Sequence, residues 1–211
     1  MASYNSLVVS LSFLILVPVC SPSSPQPTQF DTLSSYHQGD NNLVRASCVH
    51  TLYPAVCLHT LSAYRGPTST PYDVARAALK VSLTRARSLT VLLSSKSHSH
   101  RPTSKKERAA LRDCTEMISS TVDELSGALN ELKQLGNIGV GREAFGWAMS
   151  NAETWVSAAL TDEDTCLEGF NEGGVARGDV IRKKIRNVAK VTSNALYMIN
   201  KLDKSKNKVR V

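Results

Sequence analysis

From Leu111 the apolar residues recur every three or four positions: Leu111, Cys114, Ile118, Val122, Leu125, Leu129 and Leu132. The same rhythm returns in Ile181, Ile185, Val188, Thr192, Ala195, Ile199 and Leu202. That spacing follows the turn of an α-helix and places each set on one face. A long helix with one apolar stripe must bury the stripe against neighbours, because alone it leaves the stripe in water. The flanks agree. Pro102, Thr103 and Ser104 stand before the first stripe and Gly136, Gly139 and Gly141 after it, while Gly173, Gly174 and Gly178 precede the second. These are the residue types that start and stop helices.

Two further helices fit the intervals. Asp73 to about Ser94 carries Val74, Ala77, Ala78, Val81, Leu89 and Leu92 behind Pro71. Arg142 to Leu160 carries Phe145, Ala148, Ala152, Trp155 and Ala159, with Trp147 and Trp155 expected in the core. No segment alternates as a strand does, and aromatic residues make up only 6% of the chain. The expected fold class is therefore all-α, an up-down-up-down four-helix bundle. The polar stretch SSKSHSHRPTSKKE is the longest connection and is expected to be mobile.

The N-terminus sets the compartment. Leu7 to Val19 is almost wholly apolar, no side chain from Met1 to Phe30 is charged, and CSPSSPQPTQ follows. The run is too short to span a bilayer, and an apolar run followed by small residues reads as a secretory signal peptide. The expected organisation is a signal peptide at 1–23, a flexible Pro/Ser-rich segment at 24–39, a folded domain at 40–203 and a basic tail at 204–211, with no membrane segment in the mature form. Without Cys20 four cysteines remain, and an even number in a secreted chain implies disulfides. Four cysteines allow three pairings. Within SCVHTLYPAVC, Pro54 stops a helix from continuing through Tyr53. Cys48 then ends one short helix, with Leu43, Ala46 and Val49 inward, and Cys57 starts another, with Val56 inward. A Cys48–Cys57 bridge staples this turn. That leaves Cys114 with Cys166, a loop of about 50 residues whose closure is worth about 3–4 kcal/mol.

No catalytic constellation emerges. Asp162, Glu163 and Asp164 read as the acidic start of a helix, favoured by its dipole. His98 and His100 sit in the polar connection without a Cys or carboxylate partner, and His37, His50 and His59 are isolated. There is no Gly-rich phosphate loop, nucleophile elbow or His-Glu-x-x-His. Arg177, Gly178 and Asp179 form a helix start rather than an adhesion motif. An enzyme is not expected, nor a cofactor or metal.

Taken in order, SCVHTLYPAVC, ALRDCTEMISSTVDELSGAL, TWVSAALTDEDTC followed by EGF, and SNALYMI resemble the plant invertase and pectin methylesterase inhibitor family over about residues 40–202. The resemblance implies a secreted bundle with an N-terminal helical hairpin and the same two disulfides, located in the apoplast or cell wall. It implies a free-standing inhibitor whose partner is pectin methylesterase, bound 1:1 so that the active-site cleft is covered. The bundle's second and third helices, about 104–135 and 142–160, would face the enzyme. Glu116, Ser120, Asp123 and Glu124, opposite the apolar stripe, and Asn151, Thr154, Thr161 and Asp164 are then the candidate contacts, Asp123 matching a position where relatives are acidic. Acid invertase is the alternative partner, but no proline precedes a lysine, so the Pro-Lys-Phe tripeptide associated with invertase inhibition is absent.

The net charge is +7, with Arg182, Lys183, Lys184 and Arg186 on the last helix and Lys201, Lys204, Lys206, Lys208 and Arg210 in the tail. Outside the cell this excludes nucleic acid and points to non-specific electrostatic contact with pectate. A wall protein that binds pectate without inhibiting anything is the reading from a different class.

Overall fold

Both long stripes are buried. Every member of the second, from Ile181 to Leu202, is at most 8% exposed, and in the first only Val122 and Leu129 are as much as half-buried. The computed structural model describes residues 42–99, 104–136, 141–173 and 178–208, with all their side chains except those of 97–99 and 205–208. The signal peptide at 1–23, the segment at 24–39, Arg177, Arg210 and the side chains of His98, His100, Lys206 and Lys208 lie outside the described residues. The helices are α1 (42–48), α2 (Pro54–Ser62), α3 (Pro71–Ser99), α4 (Lys105–Leu135), α5 (Arg142–Glu172) and α6 (Asp179–Lys208).

α3 to α6 form the four-helix bundle. α3 packs on α4 and α6, α5 packs on α4 and α6, and α4 with α5 is the most extensive pair. Neighbours are antiparallel. Cys114 meets Cys166 while Glu131 meets Asn151, and Ser82 meets Thr192 while Arg85 meets Asn187. The core filling is aliphatic, with Leu79, Leu89 and Leu93 of α3 and Phe170 of α5 fully enclosed. α4 starts on a side-chain cap: the Ser104 hydroxyl accepts from the Glu107 N–H at 3.0 Å, three residues on. It ends where the Tyr72 hydroxyl donates to the Leu132 carbonyl. Gly136 leaves room there, since an added Cβ would stand 3.0 Å from the same hydroxyl and the ring would have to give way by a few tenths of an ångström.

Three helices run past their expected ends. α3 continues through the Ser/His/Lys-rich stretch to Ser99, and α6 through the tail to Lys208. α5 continues to Glu172, so Asp162, Glu163 and Asp164 lie in mid-helix and do not open a new one. The reason is periodic. Ala148, Ala152, Val156, Ala159, Glu163, Cys166 and Phe170 keep the helical spacing without a break, but Glu163 occupies a core position where apolar counting registers a gap.

The N-terminal hairpin packs through α2 on α3 and α6. Cys48 is bridged to Cys57 and Cys114 to Cys166, closing separations of 9 and 52 residues. Pro54 is the first residue of α2, where its missing N–H costs nothing. The inward face of α1 differs from expectation: Val44 and Cys48 are buried, whereas Ala46 and Val49 are exposed and Leu43 is half-buried. The bridge fixes Cys48 inward, and the residue one turn before it follows.

Tyr53 has no side-chain cap on its own helix. Asn194 of α6 supplies the partner. Its Oδ1 accepts from the Tyr53 N–H at 3.1 Å and its Nδ2 donates to the Tyr53 carbonyl at 3.0 Å, while Lys190 lies 5.3 Å from the centre of the Tyr53 ring. Two of the quoted sequence blocks are thus joined by one amide side chain. Asn194→Ala is expected to cost about 2 kcal/mol, because the Tyr53 N–H loses its partner and the Tyr53 carbonyl keeps only the Cys57 N–H. It should also accelerate hydrogen exchange selectively in α1 and α2. Exchange left unchanged there would mean that the disulfide and α3 hold the hairpin without this clamp.

Candidate functional site

One outward surface runs along the paired helices α4 and α5. On α4 the positions Glu116, Ser120, Asp123 and Gly127 follow at spacings of four, three and four, and so share a face; the first three are exposed. On α5 Trp147, Asn151 and Trp155 follow at spacings of four, with Thr154 and Thr161 beside them, all exposed. Trp147 is 65% and Trp155 43% exposed, so the expectation that both fill the core is corrected. Gly127 explains where Trp155 goes. The indole lies across α4 at this glycine, where an added Cβ would stand 3.4 Å from three indole atoms. The glycine provides a shelf, and the ring rests on the bundle's outside.

The polar groups on this surface are partly committed. Asn151 Nδ2 reaches Glu131 Oε1 at 3.4 Å, linking the two helices. The hydroxyls of Thr154 and Thr161 donate back to the Ser150 and Ser157 carbonyls, leaving oxygen lone pairs outward. Arg112 pairs with Asp113 at 3.0 Å and approaches Glu116 at 3.9 Å.

Two candidates differ from the rest. Glu124 is half-buried between the helices, and its Oε2 is enclosed without a hydrogen bond. Burial, reinforced by Asp162 and Asp123, pushes its carboxyl up to about 7. Asp164 is exposed but on the far flank of α5. It stands eleven positions, or three turns, after Glu153, whose carboxyl is raised by burial and by Asp203 of α6 and lowered by Lys204. Asp164 therefore lies on the α6 side of α5, one turn after Thr161 and away from Asn151.

Beneath the surface lies a polar cluster that sequence reasoning missed. Glu163 is completely buried, its Oε1 accepts from the Thr192 hydroxyl at 2.8 Å, and Ser82 Oγ lies 2.6 Å from Thr192 Oγ1. Its Oε2 has no hydrogen-bond partner. Burial pushes the Glu163 carboxyl up to about 8; the Thr192 hydrogen bond opposes the rise, and the charges of Asp164, Glu124 and Asp162 add to it. α3, α5 and α6 each contribute one hydrogen-bonding side chain to the cluster, and α4 contributes the neighbouring charge of Glu124.

The family profile described as plant invertase/pectin methylesterase inhibitor matches residues 42–198. The chain belongs to that family. Among members of the plant invertase/pectin methylesterase inhibitor family, pectinesterase inhibitor 3 of Arabidopsis thaliana is 47% identical over 181 residues, covering 84% of this chain and 87% of its own length. Pectinesterase inhibitor 9 of the same plant is 38% identical over 197 residues, covering 91% and 92%. A crystal structure of a mutant form of a pectin methylesterase inhibitor from Arabidopsis superposes with a TM-score of 0.59 at 21% identity, covering 72% of this chain and 92% of that one. At that identity the match supports the fold alone: an all-α bundle carrying an N-terminal hairpin.

Proposed function

We propose that this chain is a protein inhibitor of pectin methylesterase. It is not an enzyme; it acts by forming a 1:1 complex in which the α4/α5 surface covers the esterase's active-site cleft. The relationship to pectinesterase inhibitors 3 and 9 supports the target. The observation that carries the mechanism is the exposed Trp155 on its Gly127 shelf, set among the carboxylates of Glu116 and Asp123. A large aromatic ring held at the surface of a rigid bundle is the type of residue that dominates binding energy. The bridge between Cys114 and Cys166 fixes the two helices before contact, so little ordering is required on binding. Secretion to the cell wall fits the N-terminal leader and the two disulfides, which persist in oxidising compartments.

The test is a titration of the oxidised mature chain against a plant pectin methylesterase and, in parallel, against an acid invertase, at mildly acid pH. Saturable 1:1 loss of esterase activity alone supports the proposal. Loss of invertase activity alone replaces the target and keeps the surface. Trp155→Ala should raise the inhibition constant by at least ~30-fold, the effect of losing an aromatic hot spot. Glu116→Ala and Asp123→Ala should each raise it by about 3- to 10-fold, as rim charges do when truncated. All three variants should keep full helicity, because the residues lie on the outside. An unchanged constant in Trp155→Ala would move the interface off this surface.

A further inference from the structure

Charge is divided between the two helix pairs. α3 and α6 carry fourteen Lys and Arg against three Asp and Glu, while α4 and α5 carry six against thirteen. Since α3 and α6 adjoin each other across the bundle from the α4/α5 surface, the molecule has one basic and one acidic side. On the basic side α3 and α6 enclose a groove of about 520 Å³, with Arg85, Ser88, Lys183, Lys184 and Asn187 over an apolar floor that includes Leu89.

The groove is built from donors. Arg85 gives a hydrogen bond to Asn187 Oδ1, which leaves the Asn187 amide N–H groups and the rest of the guanidinium free to donate outward. Among the described residues Arg85, Lys183 and Lys184 form no ion pair. Two other cations of the last helix behave differently: Arg182 pairs with Asp179 at 3.0 Å and stands 5.8 Å from the centre of the Phe170 ring, and Lys190 is against Tyr53. Burial alone lowers the Arg85 pKa from its ordinary value. A half-buried guanidinium with only a neutral partner is an arrangement that an incoming anion improves, through charge-assisted and bidentate hydrogen bonds.

We propose that this groove binds a linear polycarboxylate, the de-esterified stretches of pectin, and so holds the inhibitor on the polymer its target works on. The choice of occupant rests on the pectin methylesterase reading. Hydrolysis of a methyl ester on pectin releases methanol and leaves a carboxylate on the chain, so the target's product is a row of carboxylates flanked by sugar hydroxyls. Arg85 and the two lysines match the carboxylates, and Ser88 and Asn187 match the hydroxyls. The acidic α4/α5 surface is repelled by the same polymer, so a chain seated by its basic groove presents its inhibitory surface outward. The basic tail is not needed for this arrangement; Arg85, which sequence reasoning did not single out, is.

The experiment measures binding of the oxidised mature chain to de-esterified polygalacturonate and to highly methyl-esterified pectin. It compares wild type with Lys183→Glu/Lys184→Glu, with Arg85→Gln, and with Lys105→Glu/Lys106→Glu, which alters net charge equally at the exposed start of α4. Wild type should prefer the de-esterified polymer. Both groove variants should lose at least ~10-fold in affinity while inhibiting the esterase in solution as wild type does, and the α4 variant should stay within ~3-fold. Equal losses in the groove and α4 double variants would reduce the effect to net charge and overturn the site. So would equal affinity for methyl-esterified pectin, or for anionic phospholipid vesicles. Polymer binding that depends on the groove, in a chain that inhibits no esterase, would keep the site and remove the inhibitory function instead.

Discussion

Replacing Cys114 and Cys166 together by alanine is expected to lower stability by about 4 kcal/mol, the loop-closure value for the 52-residue separation they span. For a domain of this size that corresponds to a fall in Tm on the order of 10 °C. Both sulfurs are buried, in residues 1% exposed, and they tie α4 to α5 near Glu116, thirteen residues along α4 from Gly127. The helices would remain, because the apolar stripes are unaffected, but the Trp155 shelf would lose its fixed spacing. Inhibition should therefore weaken less than stability does. Cys48→Ala/Cys57→Ala supplies the contrast. Its nine-residue separation predicts a loss of about 2.5 kcal/mol, and Asn194 still holds the hairpin. Urea unfolding of the two double variants reads the difference. A larger loss from the hairpin bridge would mean that loop closure is not what the long bridge supplies.

The second large effect is a dependence of stability on pH. In the folded chain Glu163 keeps its proton to about pH 8. In the unfolded chain it loses the proton near the ordinary glutamate value, about 4.3. Between those limits the folded state binds more protons than the unfolded one, so the contribution of Glu163 to stability is complete below about pH 4 and is lost as pH rises towards 8. The limiting slope for one such group is about 1.4 kcal/mol per pH unit. Glu124, pushed up to about 7, acts with the same sign. Thermal unfolding at pH 5 and pH 8 should show a lower Tm at pH 8, by on the order of 10 °C. Glu163→Gln keeps the shape of the side chain but cannot ionise. It should flatten the dependence to the part due to Glu124 and leave the variant more stable than wild type at pH 8. Parallel curves for the two proteins would show that Glu163 does not carry its proton into the fold.

The bundle was legible because its main signal is periodic. The stripes on α4 and α6 were readable residue by residue, and the Pro54 turn located α1 and α2. What escaped the sequence has physical causes. Glu163 fills a core slot with a charged residue type, so apolar counting ends the helix at Leu160. The stretch from Ser95 to Ser99 has the composition of a connection, yet it continues a helix whose buried side is already anchored by Leu89 and Leu93. Trp147 and Trp155 belong to a type that is usually well buried, and the Trp155 indole rests outside on the neighbouring helix at Gly127, a contact that only the fold reveals. The candidate contacts were chosen from helical spacing, which placed Glu116, Ser120 and Asp123 on one exposed stripe. Spacing could not show that Glu124 turns inward or that Asp164 faces α6, because both depend on where the neighbouring helices lie. Arg85 was invisible for a related reason: an up-down-up-down bundle makes α3 and α6 neighbours, but nothing along the chain reveals the register that sets Arg85 against Asn187.

Glu163 and Cys166 lie one turn apart on α5, and their chemistries make opposite demands while the chain is being made. Thiol–disulfide exchange proceeds through the thiolate and quickens as the solution becomes more alkaline, whereas the packed core around Glu163 is tightest in acid. Oxidative folding of this chain is therefore a compromise between a fast reaction and a stable product. Renaturation in strong alkali would pair sulfurs quickly around a loosened core, inviting wrong pairings among four cysteines. Renaturation in acid would settle the core before the sulfurs could join. The productive course is sequential: oxidation close to neutrality with a thiol reagent that permits reshuffling, then acidification to lock the correctly paired molecule.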